Sequence, residues 1–344
     1  SLQGINPSNV STMPALPRLA AITRNYENLR HANYFTDEVK EKLRVPGDEY
    51  TLFQADDGEW QFRAVQYSKH QVESLDDWSS QWTVKNRFGR QPLQLRIEAL
   101  MSAAPYDESG AVTVADFTDA NEFAHLEKPS GIDSALTPST AQIKSRPTSG
   151  CYTAASKLAT RHRAWSSIRK IFTPPANLAA TQALGVWIHG DGKGELLNLQ
   201  LRSPTHLTRS YGEHYISVDF TGWRYFELIE QEGDRYADYS WPYGGHYHIY
   251  RESVRYESVE NLTLYYNNLP PNDSVTCYLS PIKALPTVKT TLRNPAMTVG
   301  GRTLRFPVSI ESGCYLEFRS LTDCRLYGPK GELISDVNPE GDVP

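Results

Sequence analysis

The amino-acid sequence predicts a mainly β protein: an antiparallel jelly-roll β-sandwich flanked by smaller β domains, with a short N-terminal helical segment. The first observation is an alternation of apolar and polar residues, with apolar side chains at Val186, Ile188, Leu197, Leu199, Leu201, Ile216, Val218 and Phe220. A period of two buries one face of each strand and leaves the other face in water, where it is free to bind a ligand. The second is composition, because 20 Tyr and 7 Trp outweigh 3 Met and accompany 22 Gly and 22 Pro. Aromatic residues favour strands, whereas Gly and Pro favour turns.

Charge and hydropathy argue against two classes of partner. The 344 residues have a formal net charge of −5, with acids and bases interspersed. Nucleic acids and anionic membranes require a basic surface, so we expect neither as a partner. No apolar run approaches the ~18 residues that a membrane-spanning helix needs. The first ten residues lack a signal-peptide pattern, and we therefore expect a mature chain or a fragment of a longer one.

Residues 1–45 are predicted to form a linker and a helical segment. Pro, Ser and Asn dominate the first 17 residues. Four apolar residues then follow the spacing of a helical face: Leu19, Ile22, Tyr26 and Leu29. Thr36 is predicted to cap a second short helix, because acids follow it directly and bases come near the helix end.

Residues 46–108 are predicted to form a small β domain. Strands are expected at 50–54 and 60–67, since the Asp-Asp-Gly sequence between them favours a hairpin turn. Further strands are expected at 82–84 and 93–99.

Residues 109–285 have the densest strand pattern and are assigned to the jelly roll. Besides the alternating region already described, strands are predicted at 112–117, 150–155, 166–172, 251–256, 262–267 and 274–282. Residues 129–148 are rich in Ser, Thr and Pro and are predicted to be a long loop. Residues 190–195 are predicted to be a tight turn between two strands.

Residues 286–344 are predicted to form a small C-terminal β-sandwich domain with Gly-rich turns. Cys314 and Cys324 flank a possible hairpin there and could either form a disulfide or stay as thiols. The four cysteines of the chain lack metal-ligand spacing.

Residues 236–250 combine Tyr, Trp and His with Gly and Pro, a composition unusual for a core strand. Aromatic rings stack on the C–H faces of sugar rings, while His and Arg side chains hydrogen-bond to hydroxyl groups. We therefore predict that a carbohydrate binds to Tyr239, Trp241, Tyr243, His246, Tyr247, His248 and Arg224. The alternative is that these rings are buried against the sandwich. We expect Trp223 and Phe226 to point inward.

Two catalytic hypotheses stay open. The base and acid of a β-elimination on a uronate polymer could come from His246, His248, Tyr247, Tyr250 and Arg251. The carboxylates of a glycosidase would have to come from Glu227, Glu230, Glu232 and Asp234. No pair of these acids is assignable to opposite sides of a scissile bond, as glycosidases require.

Asp116 and Asp119 open the jelly-roll region together with Glu122. Carboxylates are the ligands that Ca²⁺ prefers, so these residues could hold a structural Ca²⁺ ion. The alternative is an ordinary turn capped by Asp side chains. We expect no other cofactor.

Three motifs occur in order along the chain: Ala115-Asp116-Phe117, then Gly185-Val186-Trp187-Ile188-His189-Gly190-Asp191-Gly192, then Val218-Asp219-Phe220-Thr221-Gly222-Trp223-Arg224. This set resembles the β-jelly-roll carbohydrate-binding modules of the galactose-binding-like group, which are attached to bacterial polysaccharide-degrading enzymes. The resemblance covers residues 110–285. It implies a ligand site on the concave sheet or in loops at one end, with accessory β domains beside it. It also implies a secreted or cell-surface bacterial protein.

The resulting hypothesis is non-catalytic polysaccharide binding by an accessory region of a larger glycoside hydrolase. Its partners would be a polysaccharide or oligosaccharide and, within the full-length protein, a catalytic domain. The alternatives are a jelly-roll polysaccharide lyase or glycosidase, and a purely structural β module whose aromatic rings are all internal.

Overall fold

The computed structural model describes residues 14–343 except 46–47, 56, 69, 71, 73, 120, 144–145, 205–209 and 230–253. The chain divides into two compact units. Unit 1 comprises Ser1–Leu100 together with Thr290–Pro344, and unit 2 comprises Met101–Lys289. The four segments expected from the sequence stay a prediction.

Helices are few in the described residues. The α-helices are α1, Leu16–His31, and α2, Asp37–Lys42, and two 3₁₀ turns cover Trp78–Ser80 and Tyr256–Ser258. Thr36 occupies the N-cap position of α2 in an extended conformation, but its side chain makes no capping hydrogen bond. Neither described α-helix has the length and apolar character that crossing a membrane demands.

Strands make up most of the fold and are numbered in chain order. The first nine are β1 Glu49–Gln54, β2 Trp60–Val65, β3 Leu95–Glu98, β4 Ser102–Ala103, β5 Val112–Ala115, β6 His125–Glu127, β7 Ile132–Pro138, β8 Gln142–Ile143 and β9 Arg146–Pro147. The next nine are β10 Gly150–Ser156, β11 Ser166–Ala176, β12 Ala183–Asp191, β13 Leu196–Arg202, β14 Tyr211–Ser217, β15 Thr221–Ile229, β16 Val259–Asn267, β17 Ser274–Leu279 and β18 Ile282–Leu285. The last nine are β19 Thr287–Val288, β20 Thr291–Arg293, β21 Ala296–Val299, β22 Arg302–Arg305, β23 Ser309–Glu311, β24 Tyr315–Ser320, β25 Asp323–Tyr327, β26 Leu333–Asp336 and β27 Glu340–Gly341.

Unit 1 joins the two ends of the chain. Its four-stranded sheet has the order β26-β25-β24-β3, so a strand before residue 100 pairs with strands beyond residue 310. Leu316 and Phe318 of β24 are fully buried in its core. Arg18 of α1 forms an ion pair with Glu317 and lies 4.7 Å from the ring centroid of Tyr327. The helical segment is therefore anchored to the C-terminal sheet.

The predicted strand at 82–84 is wrong. These three residues are exposed and belong to no strand of the structure. A run of three residues has too few backbone groups to form a stable ladder without a partner strand to bury it. Cys324 is a free thiol, so no disulfide closes the hairpin formed by β24 and β25.

Unit 2 is an antiparallel β-sandwich. Its seven-stranded sheet has the order β5-β18-β12-β17-β10-β7, with β15 also paired to β12. Its five-stranded sheet has the order β14-β13-β16-β11-β6. The apolar residues of the predicted alternation lie in one core between the sheets and are at most 7 % exposed. The mainly β fold class and the sandwich are therefore confirmed.

Two sequence predictions in unit 2 are corrected. Residues 129–148 are not a loop throughout, because β7 pairs with β10 from Ile132 to Pro138. The sequence of this edge strand shows little apolar alternation, since its inward-facing positions are Ile132, the polar Ser134 and Leu136. The predicted strand at 251–256 is wrong at its end, where Tyr256 begins a 3₁₀ turn. Residues 251–253 lie outside the described residues.

The turn between β12 and β13 places a carboxyl group in the core. Gly192 and Gly194 have positive φ angles of 81° and 76°, which confirms the predicted tight turn. Glu195 then enters the interior with no exposed surface, and its Oε1 accepts a hydrogen bond of 3.2 Å from the Tyr266 hydroxyl. Burial, assisted by the nearby Asp191, raises the pKa of Glu195 from 4.5 to about 7.

We predict that Glu195→Gln removes part of the pH dependence of stability. A carboxyl group with a raised pKa binds more protons in the folded than in the unfolded state, so its contribution falls as pH rises from about 4.5 to 7. The upper limit of that loss is about 3 kcal/mol, at about 1.4 kcal/mol per pKa unit. Urea unfolding at pH 5 and pH 8 should show the variant gaining stability relative to wild type at pH 8. Equal differences at both pH values would contradict this assignment. Glu260→Gln, at a half-buried carboxylate on the other side of the sheet from the core, serves as control.

Candidate functional site

The outer face of the five-stranded sheet carries polar and aromatic side chains. Those of Tyr211, Glu213, Tyr215 and Tyr265 are half-buried, and those of Asn198, Gln200, Asn261 and Thr263 are buried. Leu197, Leu199 and Leu201 of β13 face the core, so the residues between them face outward. The cross-strand register aligns residues of β14 and β16 with them. We call this surface the polar face and define it by Asn198, Gln200, Arg202, Tyr211, Glu213, Tyr215, Asn261, Thr263 and Tyr265.

The polar face is arranged in rows across the strands. One row runs from Tyr215 over Asn198 to Tyr265, which are direct cross-strand partners. Strands β14 and β16 are two inter-strand spacings apart, so the two Tyr backbones are separated by about 10 Å. The aromatic residues therefore stand at both ends of a row that has an amide between them.

Glu213 is the centre of the polar face. Its Oε1 accepts hydrogen bonds from Asn198 Nδ2 at 3.0 Å and from Gln200 Nε2 at 2.7 Å. Its Oε2 accepts one from the Tyr215 hydroxyl at 3.0 Å. The Asn198 Oδ1 in turn accepts from the backbone N–H of residue 214 at 3.2 Å. These bonds fix the carboxylate, both amides and one ring in a single arrangement.

The basic residues of the same face are paired with acids. Arg169 of β11 lies 3.5 Å from Glu127, and its Nε donates to Thr263 Oγ1 at 3.3 Å. Arg202 lies 3.6 Å from Glu260. Because both guanidinium groups have carboxylate partners, the face presents hydroxyl, amide, carboxylate and aromatic groups rather than an unbalanced positive charge.

Tyr265 is a neutral hydrogen-bonding aromatic on this face. Burial raises the pKa of its hydroxyl, so the group stays protonated at physiological pH and can donate a hydrogen bond. Its ring centroid lies 6.4 Å from that of Trp165. This second ring supports it from the end of β11.

The outer face of the seven-stranded sheet is aromatic too, but a hairpin covers it. Trp223 faces outward there, opposite His189, and not inward as the sequence analysis expected. Its Nε1 donates to the Ile143 carbonyl at 2.9 Å, and the Arg146 guanidinium lies 3.6 Å from the Trp187 ring centroid. The β8–β9 hairpin therefore packs on these indoles, which are half-buried.

Most of the predicted sugar-binding residues lie outside the described residues: Tyr239, Trp241, Tyr243, His246, Tyr247 and His248. The same holds for the predicted catalytic candidates, except that Glu227 is exposed on β15. Arg224 is exposed on β15, with its guanidinium 4.5 Å from the Phe220 ring centroid. It belongs to the seven-stranded sheet and is not part of the polar face.

Asp116 and Asp119 each cap a local turn. Asp116 Oδ1 accepts hydrogen bonds from the N–H and hydroxyl of Thr118, which lower the pKa of Asp116. Asp119 Oδ1 accepts one from Asn121 N–H at 2.8 Å. Across the described part of the chain, no group of three His, Cys, Asp or Glu residues is arranged to hold a metal ion. The structural Ca²⁺ stays a prediction.

The polar face is not among the sites predicted from the sequence, although the alternation of its β13 and β14 residues is a local pattern. The residues between the apolar positions of 197–201 are Asn and Gln, and Tyr211, Glu213 and Tyr215 alternate in the same way. The apolar positions of the alternation predict the core. The residues between them face outward and contain the candidate site.

Comparisons with known proteins give structural matches only. No family model matches the sequence, and no curated protein matches it. Among solved structures, the family 11 carbohydrate-binding module of the cellulosomal cellulase Lic26A-Cel5E of Clostridium thermocellum is 13 % identical, with a TM-score of 0.35 over 53 % of this chain and 97 % of that one. The family 30 module of the cellulosomal cellulase Cel9D-Cel44B from the same organism is 12 % identical, with a TM-score of 0.27 over 56 % of this chain and 96 % of that one.

An exo-β-agarase is 12 % identical, with a TM-score of 0.32 over 51 % of this chain and 24 % of that one. The chain is thus similar to β-sandwich carbohydrate-binding modules and to part of an agarase. The two modules are of the class that the sequence resembles.

We predict that Glu213→Ala destabilises unit 2. The substitution leaves the Asn198 and Gln200 amides without their shared acceptor, and a buried donor that loses its partner costs about 1–3 kcal/mol. Glu260→Ala, which removes only a partly exposed ion pair, should cost less than about 1 kcal/mol. Urea unfolding monitored by tryptophan fluorescence measures both. Equal effects of the two substitutions would contradict the central role of Glu213.

Proposed function

We propose that unit 2 is a non-catalytic module that binds a neutral polysaccharide along the polar face. The observation that carries the proposal is the fixed carboxylate and amide network around Glu213, with Tyr rings beside it. Sugar rings present flat C–H faces bordered by hydroxyl groups. Such a ligand needs aromatic faces beside hydrogen-bonding groups, and the half-buried Tyr rings and the Glu213 carboxylate of the polar face would supply them.

Binding would combine stacking with hydrogen bonding. Tyr211 and Tyr215 would contact C–H faces, and a hydroxyl group of the sugar would donate a hydrogen bond to the Glu213 carboxylate. Because protein groups already orient Glu213, Asn198 and Gln200, little side-chain entropy is lost when the ligand binds. The arrangement therefore favours high affinity, because binding the ligand orders few further side chains.

The charge of the polar face favours a neutral ligand. Arg169 and Arg202 are paired with Glu127 and Glu260, and Glu213 is acidic. A uronate or sulfate group would meet the Glu213 carboxylate and find no unpaired cation among these residues. Two negative charges in contact repel each other, so we expect the polar face to bind neutral glycans in preference to acidic ones.

The larger context is part of the same proposal. The sequence resemblance supports an accessory region joined to the catalytic domain of a secreted or cell-surface bacterial glycoside hydrolase. The predicted sugar-binding residues between 239 and 248 would add contacts to the ligand. Binding would hold the enzyme near its polymer, which raises the effective concentration of substrate.

We predict that Tyr211→Ala and Tyr215→Ala each weaken binding about tenfold, equivalent to about 1.4 kcal/mol. Each substitution removes a stacking surface from the polar face. A panel of neutral and acidic polysaccharides in native affinity electrophoresis first identifies the ligand, and titration calorimetry then measures Kd. Tyr278→Ala, a half-buried Tyr on the other sheet, is the matched control and should bind as wild type. Unchanged affinity in both polar-face variants would overturn the site.

We further expect binding without turnover. Incubation of the chain with the ligand identified by the panel should release neither reducing ends nor unsaturated products absorbing in the ultraviolet. Release of either at a rate proportional to protein concentration would contradict the non-catalytic assignment.

A further inference from the structure

Exposed apolar side chains are concentrated in one short segment of unit 1. Among the large hydrophobic residues that the structure describes, Trp78 has the highest exposure, 81 %, and Trp82 is 51 % exposed. Tyr67, Leu75 and Val84 are exposed in the same segment. Single exposed apolar residues are ordinary, but a group that includes two indoles marks an interaction surface.

Local hydrogen bonds hold this segment in place. Asp77 Oδ1 accepts from the backbone N–H of Ser79 at 2.7 Å, which caps the 3₁₀ turn that begins at Trp78. The Ser79 hydroxyl accepts from Ser74 N–H at 3.2 Å, and Ser79 itself is buried. The turn that presents Trp78 is therefore structured, although the indole contributes little to its packing.

Trp82 is oriented by a histidine. The His70 ring stacks on the Trp82 ring with 4.2 Å between centroids and 16° between planes. The His70 Nε2 lies 2.7 Å from the carbonyl oxygen of Ser79, which accepts its hydrogen bond. One indole face is thus covered by imidazole, and the exposed half of the ring faces solvent with a fixed orientation.

Hydrogen-bonding residues lie next to the two Trp residues in the sequence. Asp76 precedes the turn and Gln81 follows it, and both are exposed. Within the described part of the chain, neither the Asp76 carboxylate nor the Gln81 amide has a hydrogen-bond partner. Aromatic rings with an exposed carboxylate and an exposed amide close in sequence are the kinds of group that bind sugars.

From these contacts we infer that Trp78 and Trp82 form a second carbohydrate-binding site, located in unit 1 and suited to neutral glycans. The indoles would stack on sugar rings, and Asp76 and Gln81 would bond to hydroxyl groups. The inference rests on the proposed function only for the class of ligand, because the site shares no residue with the polar face. A chain with two sites would bind a polymer more tightly than a single oligosaccharide.

The test is the number of oligosaccharides that each full-length chain binds. Calorimetry with an oligosaccharide of the polymer identified by the panel should give a stoichiometry of two for wild type. The double variant Trp78→Ala/Trp82→Ala should bind one and should elute earlier from the immobilised polysaccharide. Trp78→Tyr/Trp82→Tyr should keep both sites, since it keeps a stacking ring. Leu333→Ala, which changes an exposed apolar residue of the same unit, is the control and should keep a stoichiometry of two.

The outcomes separate this inference from the proposed function. A wild-type stoichiometry of one that survives the Trp substitutions overturns the second site and leaves the polar face intact. Binding that the Trp substitutions abolish, while Tyr211→Ala/Tyr215→Ala binds as wild type, supports the unit 1 site and overturns the polar face. Absence of binding to every glycan overturns both. Self-association in light scattering that only the Trp substitutions abolish assigns the segment to protein contact and overturns the inference.

Discussion

The alternation of β13 between β14 and β16 is the constraint on which the candidate site depends. Because side chains in a strand point to opposite faces in turn, the register that buries Leu197, Leu199 and Leu201 also fixes the residues between them outward. A shift of one residue would move the apolar set into water and the polar set into the core. Core packing therefore stabilises the arrangement of the polar face, and Glu213 completes it by joining residues of β13 and β14.

The core of the sandwich was predictable because its pattern is local. Val186 and Ile188 alternate within one strand, and that is sufficient to assign a buried face. The polar face was not predictable in the same way, because Asn198 and Tyr265 become neighbours only through the pairing of β13 with β16. More than sixty residues separate these positions, and no local pattern encodes such a pairing. The sequence alone therefore favours a binding site in residues 236–250, where aromatic residues lie close together in the sequence.

Strand pairing and burial that local patterns do not encode also explain the errors in the other elements. Strand β7 is an edge strand whose inward-facing positions include the polar Ser134, so its sequence lacks the apolar alternation that predicts a strand. Residues 82–84 were predicted as a strand from their composition, but pairing with another strand is what stabilises a strand, and composition does not reveal it. Strand β3 pairs with β24 across more than two hundred residues, so the sequence showed its existence but not its partner.

Two parts of this chain combine aromatic rings with carboxylate and amide groups. In the polar face, hydrogen bonds across the sheet fix the carboxylate and the amides. Around Trp78 and Trp82, a hydrogen-bonded turn and the stacked His70 ring hold the aromatic residues. A crystal structure of the full chain bound to an oligosaccharide tests the central claim most directly. The account predicts sugar rings against the Tyr residues of the polar face, with a hydroxyl group hydrogen-bonded to Glu213. Sugar bound only on the outer face of the seven-stranded sheet would contradict it.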